Sequence, residues 1–136
     1  MKLTLAQISE FEKNGYLVVE GMLTESHVAA LRQRTEDIAS GRVDFPANCI
    51  EFEPGSEDSR DIRSLRKINR GATYDPVISE HARNPALLDA IECLLGPDIK
   101  LFHDQLFVKP PGGVEKTYHQ DSPYFYIEPM ALVTAW

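Results

Sequence analysis

The residues Tyr118-His119-Gln120-Asp121-Ser122 carry the side chains best suited to chemistry. His-x-Asp sets an imidazole and a carboxylate two positions apart. On a β-strand that spacing points both side chains to the same face. One nitrogen and one oxygen can then fill adjacent corners of a metal's coordination sphere. A further His from elsewhere would complete the two-His-one-carboxylate set that holds non-haem Fe(II). The tripeptide is common, and taken alone its ordinary reading is a His hydrogen-bonded to a neighbour beside a turn Asp ahead of Ser122-Pro123. The setting shifts the balance. A strong turn signal, Pro110-Pro111-Gly112-Gly113, precedes the pair, and the aromatic cluster Tyr124-Phe125-Tyr126 follows it. A His and a carboxylate on the inner face of a sheet need a compensating charge, which a divalent metal supplies.

Helices and strands must position this pair, and the helices come first. Thr4 and Gln7 have capping-box spacing, Leu5, Ile8 and Phe11 recur at helical intervals, and Gly15 is placed to end the helix. Tyr16-Leu17-Val18-Val19 reads as a short buried strand. Thr24 caps a second helix over 25–40, with Val28, Leu31, Thr35 and Ile38 inward and Gly41 after its end. Residues 42–61 are acidic, with Pro46, Pro54 and Gly55 and little periodicity. They read as a long loop, of the kind that is either functional or disordered, with a short strand around Ile50 and Phe52. A strand is predicted over 62–68, with Leu65, Lys67 and Asn69 on one face and Arg66, Ile68 and Arg70 on the other. Asp75-Pro76 and Asn84-Pro85 each start a helix, the second with Leu87, Leu88, Ile91, Leu94 and Leu95 as its apolar face and Gly96-Pro97 as its stop.

The best strand pattern runs over 99–109. It places Leu101, His103, Gln105, Phe107 and Lys109 on one side and Phe102, Leu106 and Val108 on the other, with Asp104 between these. Another strand carries His119 and Asp121, and one more begins at Leu132. Helices followed by strands of rising density predict an α+β protein, with helices on one side of a largely antiparallel sheet.

The bulk properties narrow the function classes. A chain of 136 residues suits a single domain, 1–136. A formal net charge of −7 argues against nucleic-acid and anionic-membrane partners. Cys49 and Cys93 lie far apart without metal-like spacing and read as free thiols in a reducing compartment. No long apolar run opens the chain, so neither a signal peptide nor a transmembrane helix is expected, and the cytoplasm is the expected location.

Other candidates have plain alternatives. Arg60, Arg63, Arg66, Lys67 and Arg70 form a basic run in an acidic protein, which is ordinarily a solvated face. For Lys67 that reading is balanced by the chance of meeting a carboxylate of a ligand. Lys109 reads as a solvated strand end, and His27 and His81 as surface residues. His103 reads as a core histidine that shares a face with Gln105. Trp136, on residue type, is core.

Several segments, in order, resemble the phytanoyl-CoA dioxygenase family. Phe11-Glu12-Lys13-Asn14-Gly15-Tyr16-Leu17-Val18-Val19 is similar to its opening segment, and Leu65-Arg66-Lys67-Ile68 to its next landmark. Residues 105–113 resemble the strand and turn before its metal motif, His119-Gln120-Asp121-Ser122-Pro123-Tyr124-Phe125 the motif itself, and Val133-Thr134-Ala135-Trp136 the strand after it. The resemblance implies a double-stranded β-helix (jelly roll), of which this chain is the N-terminal, truncated part. It implies Fe(II) and 2-oxoglutarate, with decarboxylation of 2-oxoglutarate to succinate and CO₂ coupled to hydroxylation of a small organic substrate by O₂. By carry-over, His119 and Asp121 are iron ligands, and Lys67, Gln105 and Trp136 contact 2-oxoglutarate. The carboxylate of Asp121, which related halogenases lack, favours hydroxylation.

The family's second iron-binding His and its 2-oxoglutarate-clamping Arg fall beyond Trp136. The expectation is therefore weak iron binding, poor turnover, and an open sheet edge prone to self-association. Two other functions fit the same residues: a non-catalytic interaction module on this scaffold, and a cupin-type metal enzyme using His103 with His119 and Asp121.

Overall fold

The fold is known from a computed structural model, which describes residues 1–121, 123 and 125–136. It is α+β: helices together with one antiparallel sheet of three strands. The chain divides into two compact units. One gathers Met1–Met22, Arg83–Lys100 and Thr117–Trp136, and the other Leu23–Ala82 and Leu101–Lys116.

The first unit is helical. Helix α1, Leu5–Asn14, begins where Thr4 and Gln7 satisfy each other's backbone amides and ends at Gly15. A later helix, Pro85–Leu95, has Asn84 as its cap and Pro at its first turn, and it stops at Gly96. The N-terminal ammonium group lies 2.7 Å from Asp89 on that helix, and Lys2 lies 4.0 Å from Glu92. The predicted strand at 16–19 has no regular structure, although its exposure alternates: no described strand pairs with it, and Tyr16 and Val18 are exposed. An apolar run needs a ladder partner to become a strand.

The second unit holds the core. Helix α2, Glu25–Ser40, starts at the Thr24 hydroxyl, which accepts the His27 amide, and ends at Gly41 in a left-handed conformation. Three strands follow in the order β1 (Ile50–Phe52), β2 (Leu65–Asn69) and β3 (Gln105–Phe107), each antiparallel to its neighbour. Short helices α3 (Gly71–Tyr74) and α4 (Pro76–Ala82) follow β2, so the Pro85–Leu95 helix is α5. Ile38 and Ala39 of α2 pack with Leu65 and Ile68 of β2, and Ile50, Phe52, Phe45 and Val108 close around them. Burying a side chain such as Ile38, Leu65 or Ile68 contributes about 1.5–3 kcal/mol each.

Two strand predictions change in detail. Residues 62–64 form a 3₁₀ turn, so β2 is shorter than 62–68 and extends one residue further, to Asn69. Within β2, Leu65 and Ile68 are both buried, although simple alternation sets them on opposite faces. Ile50 pairs with Ile68 and Glu51 with Lys67, but Phe52 pairs with Leu65. Arg66 is the extra residue of a β-bulge, which turns Leu65 back to the core side. The 99–109 strand shrinks to Gln105–Phe107. Its partner β2 is only five residues long, and Arg70 turns the chain away with a left-handed backbone, φ 56°. The turn at Pro110–Gly113 forms as expected, with the Gly113 amide donating to the Pro110 carbonyl.

Asp75 does double duty as the cap of α4. Its Oδ1 accepts the Val77 and Ile78 amides, while its Oδ2 takes the Arg34 guanidinium at 2.5 Å from α2. Asp75 is 3% exposed. A carboxylate so buried requires those donors. His27 and His81, expected at the surface, are half-buried and meet edge to face with ring centroids 5.2 Å apart. Burial, helped by the neighbouring His27, pushes His81 below the usual imidazole value.

Candidate functional site

In the first unit, His119 and Asp121 come together outside any strand. The predicted strand through them does not form among the described residues, and neither does the one at Leu132–Trp136. The calls on Ser122 and Tyr124 lie outside the described residues. His119 and Asp121 are nonetheless neighbours: Nε2 of His119 is 3.3 Å from Oδ1 of Asp121, with side chains 29% and 38% exposed. Irregular backbone replaces the strand, and local hydrogen bonds set the side chains. Nδ1 of His119 lies 2.7 Å from the Thr117 carbonyl. The Thr134 hydroxyl donates to Oδ2 of Asp121 at 3.1 Å.

Those bonds decide the electrostatics. A carbonyl only accepts, so Nδ1 carries the hydrogen and Nε2 of a neutral ring presents its lone pair. That lone pair faces a carboxylate oxygen. Two acceptors in contact repel unless a cation lies with them, either a proton on Nε2 or a metal ion. A backbone carbonyl on the far imidazole nitrogen is also how metal-binding histidines are commonly oriented. The donor set, one imidazole nitrogen and one carboxylate oxygen, suits ferrous iron. Among the described residues, no group of three His, Cys, Asp or Glu side chains is arranged to hold a metal, so the pair offers two ligands and not a complete set.

Lys67 and Gln105 lie in the second unit, and the ladder brings them to one face. Asn69 is directly opposite Gln105, Lys67 opposite Phe107, and Glu51 opposite Lys67. Directly opposed residues share a face. This face is polar, unlike the side that packs on α2. Nζ of Lys67 sits 5.0 Å from the centre of the Phe107 ring, a cation–π contact. The Asn69 amide donates to Glu51, and the His103 ring lies 3.3 Å from Oε1 of Gln105. The solvated-face reading of Lys67 is therefore too simple, because the ammonium lies over an aromatic ring. His103 is exposed and bonded to Gln105, not a core residue.

Trp136 belongs to the first unit and is fully exposed, at 110%, against the core expected from its type. Lys109 is solvated as expected. Cys49 and Cys93 are free thiols. Sequence reasoning missed Thr117 and Thr134 as partners of the His-Asp pair. Nothing in their type or spacing marks them. It also passed over Phe107 as the seat of Lys67, although the predicted shared face of Gln105 and Phe107 was the available signal.

Comparison with known proteins places these features in a family. The phytanoyl-CoA dioxygenase (PhyH) family model matches residues 11–136, and the chain belongs to that family. It is 29% identical to the peroxisomal phytanoyl-CoA dioxygenase of Mus musculus, over 98% of this chain and 42% of that protein. It is 30% identical to a probable phytanoyl-CoA dioxygenase of Caenorhabditis elegans, over 98% of this chain and 46% of that protein. An ectoine dioxygenase of Sphingopyxis alaskensis is 27% identical, over 93% of this chain and 40% of the relative. The chain thus spans less than half the length of the curated relatives it matches. No solved structure gives a significant match. No helix among the described residues is long and apolar enough to cross a membrane.

Proposed function

We propose that this chain is part of an Fe(II)- and 2-oxoglutarate-dependent dioxygenase that hydroxylates a small organic substrate with O₂. The observation that carries it is the pairing of Nε2 of His119 with the Asp121 carboxylate, two acceptors that a cation reconciles. His119 and Asp121 would hold iron, with a third ligand supplied from elsewhere. The bound iron and 2-oxoglutarate supply the oxidising power. The chain's residues supply orientation and charge. The Thr117 carbonyl fixes the imidazole tautomer, and the Thr134 hydroxyl fixes the carboxylate rotamer. Lys67 offers a positive charge to a carboxylate of the keto acid, and Gln105 offers an amide. Trp136, by the family resemblance, is the proposed aromatic contact for 2-oxoglutarate. The bond from His103 to Gln105 favours a role on the co-substrate face over a place in the metal set.

The rest of the reading follows the family. The three-stranded sheet, with one face on α2 and the other polar, is read as one wall of a jelly roll whose polar face turns inward. Residues 1–136 form part of one catalytic domain. The relatives are named for phytanoyl-CoA, ectoine and hypophosphite, so a small molecule is the substrate class proposed, with no nucleic-acid or membrane partner. Two free thiols suit the cytoplasm. The outer edge of β3, which no described strand covers, is the edge proposed to self-associate when left unpaired.

Two measurements test the core of this. Anaerobic Fe(II) titration of this chain should show binding that His119→Ala and Asp121→Ala each abolish. The full-length protein should form succinate from 2-oxoglutarate only with Fe(II). Unchanged iron affinity in both variants would sink the assignment.

A further inference from the structure

We propose that Asp104 is a positioning residue for Gln105, clamping the start of β3 so that Gln105 stays on the sheet face that carries Lys67. The proposal rests on the reading of Gln105 as a 2-oxoglutarate contact. Asp104 makes two bonds to the segment that leaves β2. Its carbonyl accepts the Arg70 amide at 3.1 Å, and its Oδ2 accepts the Ala72 amide at 2.9 Å. Between these donors sits Gly71, where a Cβ would come within 2.9 Å of Ile78 and 3.3 Å of Oδ2 of Asp104. A side chain there would first collide with Ile78 and would also crowd the carboxylate. Arg70 holds a left-handed backbone, φ 56°, to aim both amides at Asp104.

The geometry has a purpose in register. β3 pairs through only three residues, Asn69 with Gln105, Ile68 with Leu106 and Lys67 with Phe107. So short an outer strand has little to fix its alignment, and a slip of one residue would turn Gln105 to the opposite face. Asp104 is half-buried and directly precedes Gln105. Its carboxylate is a charge-assisted acceptor, stronger than the neutral ladder bonds beside it. Losing it frees the strand end at the point where the Gln105 side chain departs. The effect reaches the co-substrate through Gln105, without contact by Asp104 itself.

The test uses amide exchange on this chain and kinetics on the full-length protein. Asp104→Ala should speed exchange at the Ala72 amide by about tenfold or more, the loss of one charge-assisted bond. It should raise KM for 2-oxoglutarate while kcat stays within about twofold, and Gln105→Ala should raise KM similarly. Asp104→Asn, whose side-chain oxygen can still accept, should restore both. The double variant should be no worse than Gln105→Ala alone. If Asp104→Ala fails to fold, Asp104→Glu keeps the charge with a longer arm and should give the same KM split more mildly. Unchanged Ala72 exchange, or additive losses in the double variant, would overturn the clamp alone. An unchanged KM in Gln105→Ala would overturn it together with the co-substrate reading.

Discussion

Lys67 and Gln105 are fixed by a ladder. Each faces a named partner across β2 and β3, and the opposite face of the same sheet is anchored by Ile68 and Leu65 against α2. His119 and Asp121 are held by individual side-chain bonds, among them one to a carbonyl two residues back and one from a hydroxyl thirteen residues on. The first region would keep its geometry with no ligand present. In the second, the proposed iron would join the imidazole and the carboxylate directly, so its binding should tighten the site. On the proposed function, scaffold rigidity and ligand-dependent order are divided between two stretches of one chain.

The largest effect should come from the region that carries the His-Asp pair. His119→Ala should lower Fe(II)-dependent turnover of the full-length protein by 100-fold or more, on the order expected for removing a metal ligand or its orienting group, measured as succinate formed. Thr134→Val, which removes only the hydroxyl bond, should weaken iron binding without abolishing it. Equal losses in the two variants would erase the distinction between ligand and orienting group.

In the ladder region, Leu65→Ala should destabilise the fold by about 2–5 kcal/mol, since Leu65 is 0% exposed and leaves a cavity. Urea denaturation reads this, and iron affinity should stay as it was. Arg34→Ala strands the buried Asp75 carboxylate. Breaking a fully buried pair costs about 3–5 kcal/mol. With Arg34 25% exposed, water offsets part of that, and a loss of roughly 2 kcal/mol is expected.

His81 provides a smaller, pH-dependent effect in the same unit. Its folded-state value is lowered from 6.5 by burial and by His27. The unfolded chain therefore takes up a proton more readily than the folded one. Stability from this group is fully present above 6.5 and declines as pH falls below it. His81→Gln should flatten that part of a stability profile measured by thermal melting between pH 5 and about 8. At the small end, Thr4→Ala removes the α1 cap and should cost about 1 kcal/mol or less. Helix α1 has no fully buried residue to magnify the loss.

Helix starts were legible because each is written in side chains next to the backbone they satisfy. Thr4, Thr24, Asp75 and Asn84 all cap the helices that their spacing predicts. Strand lengths were not, because a strand exists only where another lies beside it. Residues 16–19 and 99–103 have the right composition, and no described strand pairs with them. Parity within β2 failed for a related reason, since a bulge depends on the partner's register. The polar face of Lys67, Asn69, Gln105 and His103 followed from alternation on two strands, and only the pairing of those strands showed that the two sets meet. The closeness of His119 and Asp121 was anticipated for a different reason than the one found, because a strand was expected where threonine bonds do the holding.

The bulge at Arg66 gives β2 one position of a special kind. If Arg66 were deleted, Leu65 would stay toward α2, Lys67 outward, Ile68 toward α2 and Asn69 outward, as now. The carbonyl that takes the Val108 amide would be lost, but no side chain would change sides. Removing Lys67 would likewise leave Leu65 and Ile68 toward α2, with Arg66 in the vacated outward place, whereas removing Ile68 would turn Lys67 or Asn69 toward α2. A length change is therefore tolerable at the bulge and ruinous just beyond it.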